Sequence, residues 1–261
     1  MPDERPSARP EGRTTLQPAL QGSPFCLFLD VDGTLLEFAP VPDAVEVDDA
    51  LRGLLHEASR ATGGALALIS GRSLEQLDQI FAPDLWPAAG LHGLERRDAA
   101  GAVHRQQGPG TGLERARPVL AALVAEHPEL ILEDKGGALA LHYRRAPELE
   151  AKVTTAVERL RGELGSGYHV QPGSRVLELK PAGVSKADAI HAFMEEKPFL
   201  GRQPIFAGDD LTDLDGFAAV ERHGGLSVSV GERVQAQLSL PDPAALRVFL
   251  AGLLEYAGQA S

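Results

Sequence analysis

Apolar positions along the chain follow two rhythms that alternate in its first and last thirds. Short unbroken apolar runs, the pattern of strands buried on both faces, occur at Phe25, Leu27, Phe28 and Leu29, and at 65–69, 87–91, 204–207 and 226–230. Between them the apolar residues take helical spacing. Val47, Leu51, Leu54, Leu55 and Ala58 share one face of a helix predicted over 45–61, and Gly63-Gly64 ends it. Leu74, Leu77, Ile80 and Phe81 share a face of a second helix, and Ser73 with Gln76 has capping-box spacing at its start. A helix over about 185–196 groups Ile190, Phe193 and Met194, and Asp242-Pro243 opens a last helix to about Tyr256. Strand and helix alternating in this way predict parallel βαβ units.

The middle of the chain changes character. Predicted strands at 130–133 and 138–143 flank Lys135-Gly136-Gly137, and those at 168–171 and 176–180 flank Pro172-Gly173-Ser174, both good hairpin signals. Each pair follows a helical stretch, 113–126 and 147–164. The expected fold is therefore α/β: a Rossmann-like parallel-sheet core over 23–93 and 181–261, with a smaller α+β domain over 94–180 inserted into it. Residues 1–22, rich in Pro, Arg, Glu and Gln and without an apolar signal core, read as a disordered tail with no export signal.

Charge and composition narrow the function. At 261 residues the chain can bury a sizeable core. A formal net charge of -12 disfavours nucleic acid and anionic membranes as partners, and no apolar stretch reaches the length of a membrane span. The single cysteine, Cys26, lies inside the first apolar run, which fits core packing in a reducing cytoplasm.

The candidate chemistry sits where apolar runs end. Asp30-Val31-Asp32-Gly33-Thr34 follows the first run directly. Residues i and i+2 of an extended chain point to one side, so Asp30 and Asp32 can face one pocket at the carboxyl edge of the sheet, where such folds place ligands. Two carboxylates so close repel unless a cation sits nearby, and hard oxygens suit Mg²⁺. Ser70-Gly71-Arg72 ends the second run, Lys186 stands near a helix start, and Asp209, Asp210 and Asp213 follow the run at 204–207. Taken singly, each has an ordinary reading: an Asp-Gly turn, a Ser-Gly-Arg turn, a solvated lysine, a helix cap. Together, in this order, they suit phosphoryl transfer, which needs an anionic nucleophile, a cation, donors to the phosphoryl oxygens and an acid for the leaving group.

These four clusters resemble the ordered motifs of the haloacid-dehalogenase-like superfamily. Further segments (Leu68-Ile69-Ser70-Gly71-Arg72, Gly90-Leu91-His92-Gly93, Leu139 to Arg144, Glu178-Leu179-Lys180-Pro181 and Gly208-Asp209-Asp210-Leu211-Thr212-Asp213) are similar to the trehalose-6-phosphate phosphatase family. Leu214 departs from the Glu that often ends the last motif, and Ala187 from the Gly that commonly follows the lysine. The resemblance implies Asp30 as nucleophile, Asp32 as acid and base, and Ser70 and Lys186 on the phosphoryl oxygens, with Arg72 assisting there or forming a structural salt bridge. It implies Mg²⁺ held by Asp30, the Asp32 backbone carbonyl and Asp209, with Asp213 behind them and Asp210 in either position. The inserted layer becomes a cap. Glu178 and Lys180, alternating with Leu177 and Leu179, are its sugar-binding candidates, with Glu133, Lys135, His142 and Arg144 on the hairpin and His92 on the core side. The implied activity is Mg²⁺-dependent hydrolysis of trehalose 6-phosphate by a chain acting alone or beside a separate trehalose-phosphate synthase; the charge and the single cysteine add the expectation of a cytoplasmic setting with no nucleic acid or membrane partner. Alternatives are another sugar phosphate (sucrose 6-phosphate, glucosyl- or mannosyl-phosphoglycerate), a phosphomutase, or a silent sugar-phosphate sensor; retention of both Asp30 and Asp32 speaks against the last.

Overall fold

A computed structural model describes residues 23–37, 47–106, 111–173 and 175–259. The tail expected at 1–22 and the first two residues of the helix expected from 45 lie outside them.

The large sheet has eight strands: β1 (Phe25–Leu29), β2 (Leu66–Ile69), β3 (Ala88–Gly90), β4 (Glu95–Arg97), β5 (Val103–Arg105), β10 (Gln203–Gly208), β11 (Leu226–Val230) and β12 (Leu238–Leu240), in the order β12-β11-β10-β1-β2-β3-β4-β5. From β12 to β3 all pairs are parallel. Helices cover both faces, and β1 shows why its sequence is apolar throughout. Phe25, Leu27 and Leu29 point into one core, against α1 (Asp49–Ala61), α2 (Leu74–Phe81) and α7 (Pro243–Gln259). Cys26 and Phe28 point into the other, against α5 (Lys186–Met194) and α6 (Leu214–Arg222). There Phe28 stacks on Phe199 with centroids 5.4 Å apart. Cys26 is fully buried, and burial pushes its thiol up to about 12, so it packs as an apolar group.

The second sheet is antiparallel and smaller. Strands β6 (Ile131–Asp134), β7 (Leu139–His142), β8 (Tyr168–Gly173) and β9 (Val176–Pro181) take the order β6-β7-β9-β8. One face carries α3 (Gly112–Glu126) and α4 (Glu150–Leu164), which share a core with Leu139, Leu141, Leu177 and Leu179. The other face, where Glu178 alternates with those leucines, is left toward the large sheet.

One boundary is corrected. The inserted layer was expected from residue 94, but β4 and β5 extend the large sheet antiparallel to β3. Their residues carry charge instead of an apolar rhythm, and tertiary partners absorb it. Arg96 forms a bidentate pair with Glu196, Arg97 another with Asp78, and Glu95 accepts the Leu74 N–H. The small-sheet layer therefore begins with α3.

Candidate active site

The chain crosses from one half of the large sheet to the other between β1 and β10, the switch point at which loops leaving the carboxyl ends diverge and open a crevice. Asp30 follows β1, Ser70 follows β2 and Asp209 follows β10. The Asp30 N–H donates to Ala207 O at 2.9 Å, so the β1 exit is pinned to its neighbour. Gly33, at φ 83°, then turns the chain back so that Thr34 reaches the crevice floor. Its hydroxyl lies 3.3 Å from Asp30 Oδ2 and 3.2 Å from Asp209 Oδ1, and its one proton serves either.

Lys186 enters from the other side. Ser185 and Asp188 form a capping box at the start of α5, which sets Lys186 in the first helical turn with only 3% of its surface exposed. Its ammonium lies 2.7 Å from Asp30 Oδ1 and 2.5 Å from Asp213 Oδ1. Asp213 is fully buried, and its second oxygen accepts the N–H groups of Asp209 and Asp210 at 2.9 and 3.0 Å. Gly208 makes room for it, because a Cβ there would come within 2.4 Å of the Asp213 carboxyl carbon. Burial pushes the Asp30 carboxyl well above the usual carboxylate range, Lys186 opposing and Asp213 and Asp209 adding to it. Burial likewise raises Asp209 to about 6. For Lys186, burial alone would depress the ammonium, but Asp213 and Asp30 outweigh it and hold the charge on.

Asp30, Asp209 and Asp213 bring carboxylate oxygens within 4.8 Å of one another. Three carboxylates against one ammonium leave excess negative charge in a buried space, and the donor set is hard oxygen. These residues fit a divalent cation of the Mg²⁺ class. Asp213 has both oxygens occupied by Lys186 and backbone N–H groups, which leaves Asp30 and Asp209 as the side chains best placed to ligate. Asp210 instead caps the turn at Leu211–Asp213 through Leu211 N–H at 2.7 Å. The Asp32 side chain stands apart from the cluster. Arg72 takes it in a bidentate pair at 2.6 and 2.7 Å, so Arg72 joins Asp32 in a salt bridge. Ser70 is buried, and its Oγ accepts the Arg72 N–H at 3.1 Å while keeping its proton to donate.

Across a cavity of about 530 Å³ these groups face the small sheet, which contributes Glu133, Lys135, His142, Arg144 and Glu178. Lys135 Nζ reaches Glu178 Oε2 at 3.2 Å and Gly71 O at 3.3 Å. His142 holds Glu133 at 2.9 Å, and this contact above all lowers the Glu133 carboxyl to about 2. Lys180 lines an adjoining cavity that shares His92 and Lys186, and burial lowers its ammonium to about 8. His92 sits between the two cavities with φ 56°, its ring against Gly71 so closely that a Cβ on that glycine would come within 2.8 Å. Burial first, then Lys180, Lys186 and Lys135, depress its imidazole well below the ordinary value. Two buried polar atoms here have no hydrogen-bond partner among the described residues: Glu178 Oε1 and His92 Nδ1. A larger cavity, about 1120 Å³, opens beside α2 without any of the clustered carboxylates.

Most of the expected site residues thus line one cavity, with Lys180 in the adjoining one, and two further residues join them. Thr34 could have been found as the last residue of its motif. Gln76, read only as a helix cap, donates to Glu133 at 3.0 Å; its spacing contained no sign of that second contact.

The trehalose-phosphatase family model matches residues 28–243. A probable trehalose-phosphate phosphatase of Sinorhizobium fredii is 43% identical over 232 residues, covering 88% of this chain and 87% of its own. The trehalose-6-phosphate phosphatase of Escherichia coli is 46% identical over 207 residues, covering 79% and 77%. Among solved structures, the C-terminal domain of C. albicans trehalose-6-phosphate phosphatase superposes with a TM-score of 0.78 at 22% identity, covering 94% and 96%, a likeness of fold. A family match over most of the chain, joined to relatives above 40% identity along more than three quarters of their length, places this protein in the trehalose-phosphatase family.

Proposed function

We propose that the protein is a divalent-cation-dependent phosphatase that hydrolyses trehalose 6-phosphate to trehalose and inorganic phosphate. The observation that carries the reading is the cavity's two-sidedness. One wall holds Asp30, Ser70, Lys186 and Asp209, and the other presents a buried carboxylate oxygen, Glu178 Oε1, with no hydrogen-bond partner among the described residues. A sugar covered in hydroxyls supplies such partners, and a buried acceptor left without one is costly.

Asp30 Oδ2 is the attacking atom, since Oδ1 is held by Lys186. It bonds to phosphorus as the bond from phosphorus to the sugar oxygen breaks, and that oxygen takes a proton from Asp32. In the second half, water attacks the phosphorus of the aspartyl-phosphate and gives a proton to Asp32. The phosphorus–Asp30 bond then breaks, releasing phosphate and restoring both carboxyl groups. Ser70 donates to the phosphoryl oxygens and Lys186 offsets their charge. Asp30, Asp209 and the Asp32 backbone carbonyl would hold a divalent cation of the Mg²⁺ class, which would supply Lewis-acid neutralisation of the phosphoryl charge. Arg72 keeps Asp32 in place beside this centre. The small-sheet layer acts as a cap that excludes water, with Glu178, Lys180, Glu133, Lys135, His142 and Arg144 contacting sugar hydroxyls and His92 assisting from the core.

Among the described residues no helix is long and apolar enough to cross a membrane. A cytoplasmic enzyme fed by a separate trehalose-phosphate synthase is the setting this reading implies. The test is phosphate release from a panel of trehalose 6-phosphate, sucrose 6-phosphate, glucosylphosphoglycerate and glucose 6-phosphate with Mg²⁺ present. Trehalose 6-phosphate should lead in kcat/KM. Preference for another member would replace the substrate, and phosphate moved between sugar hydroxyls without net release would replace hydrolysis by mutase chemistry.

A further inference from the structure

Gln76 lies in the first turn of α2, the helix that follows the Ser70-Gly71-Arg72 loop, and it uses both ends of its amide. Oε1 accepts the Ser73 N–H at 2.9 Å while Ser73 Oγ accepts the Gln76 N–H at 3.1 Å, so one end belongs to the helix cap. The other end leaves the helix. Nε2 donates to Glu133 Oε1 at 3.0 Å, on strand β6 of the small sheet. Glu133 is held on its other oxygen by His142, across the hairpin. Next along the same hairpin, Lys135 donates to Gly71 O. The phosphoryl-side loop with its helix start, and the β6–β7 hairpin, are thus joined at two points that flank the cavity.

A primary amide carries an acceptor and a donor on one rigid plane. Glutamate at this position would keep the acceptor for the cap and present a like charge to Glu133. Alanine would lose both.

Resting on the reading of Glu133 as a sugar-side group, we infer that Gln76 is a positioning residue for substrate recognition, coupling the phosphoryl-site loop to the hairpin that reads the sugar. It touches neither the phosphorus nor the leaving oxygen. It orients Glu133 and holds the hairpin against the core when the cavity is closed.

The experiment compares Gln76→Glu, Glu133→Gln and the double variant with wild type. It uses trehalose 6-phosphate and p-nitrophenyl phosphate as substrates, and hydrogen exchange of the backbone amides at 131–142. Gln76→Glu should lower kcat/KM for trehalose 6-phosphate roughly ten- to a hundredfold. It should leave p-nitrophenyl phosphate within about twofold of wild type, since that ester makes no sugar contact. Hairpin exchange should quicken while the melting temperature holds, because the cap of α2 is kept. The double variant restores a donor opposite an acceptor with the polarity reversed, and should recover part of the loss seen in Gln76→Glu. Wild-type kinetics and exchange in Gln76→Glu would reduce the residue to a helix cap. Equal losses on both esters, or no recovery in the double variant, would also overturn the coupling. If wild type cleaves p-nitrophenyl phosphate but not trehalose 6-phosphate, the substrate assignment fails by itself. Hairpin exchange then decides the coupling alone: unchanged rates overturn it, and faster rates carry it to whichever sugar phosphate the panel identifies.

Discussion

As the proposed nucleophile, Asp30 has to be a carboxylate in order to attack, yet it is buried among carboxylates, and burial pushes it toward the neutral acid. Lys186, at 2.7 Å, pulls the other way, and a bound cation would add to that pull. An amide at this position keeps the shape and loses both nucleophilicity and charge. Asp30→Asn should therefore fold normally, by circular dichroism and melting, while turnover drops on the order of a thousandfold or more; near-native turnover in the purified variant would remove the nucleophile assignment. Lys180 offers a pH test. Burial lowers its ammonium to about 8, with Glu178 opposing and Lys186 and Lys135 assisting. The charged form is present below that pH and absent above it, so KM for trehalose 6-phosphate should rise as pH passes 8, with KM for p-nitrophenyl phosphate flat. The unfolded chain holds this proton up to the ordinary lysine value. Between the two values the folded state binds fewer protons, and Lys180 then contributes more favourably to stability as pH rises. A KM profile unchanged by Lys180→Met would detach that group from the sugar.

At the scale of elements, each proposed catalytic group is placed by the end of a strand or the cap of a helix. Ser185 and Asp188 fix the start of α5 and hence Lys186, and Ser73 with Gln76 fixes the start of α2 behind Ser70 and Arg72. The turn at Leu91–Gly93 is the strained junction between β3 and β4. Leu91 and His92 both adopt positive φ, and Gly93 stands at φ 106° with its Cα against Ser185 O, where a Cβ would approach to 2.6 Å. Gly93→Ala should cost about 1–3 kcal/mol by denaturant unfolding. It should also lower turnover by disturbing the His92 turn and the cap of α5 together; stability equal to wild type would show that the turn relaxes freely. On β9, Glu178→Ala should lower trehalose 6-phosphate turnover about tenfold or more while affecting p-nitrophenyl phosphate much less. Parallel losses on both esters would move Glu178 from sugar recognition to the phosphoryl centre or the core.

The molecule as a whole brings two sheets of different construction to one cavity, with the charge excess concentrated on the large-sheet side. Exhaustive EDTA treatment should abolish phosphate release and Mg²⁺ restore it, and Asp209→Ala should lose Mg²⁺ binding in calorimetry. Full activity after EDTA would exclude the metal requirement, and unchanged affinity in Asp209→Ala would shift ligation to Asp210 or Asp213. Asp213, with Lys186 and two backbone N–H groups already on its oxygens, is better suited to hold the cluster together than to bind the ion.

What the sequence determined by itself was local. Apolar runs marked β1, β2, β10 and β11 because strands buried on both faces have no polar alternation, and glycine-bearing turns marked the two hairpins of the small sheet. The motif ends marked Asp30, Ser70, Lys186 and Asp209 because phosphoryl chemistry needs those groups at strand and helix ends. Only the tertiary structure could decide the rest. Glu95, Arg96 and Arg97 form a buried strand because Leu74, Glu196 and Asp78 satisfy them, partners 19 to 100 residues away that no local pattern reveals. It turned Arg72 onto Asp32, drew Asp213 into the carboxylate cluster and sent Gln76 across to Glu133. A polar side chain's role depends on which donor or acceptor the fold brings within about 3 Å, and chain order does not encode that distance.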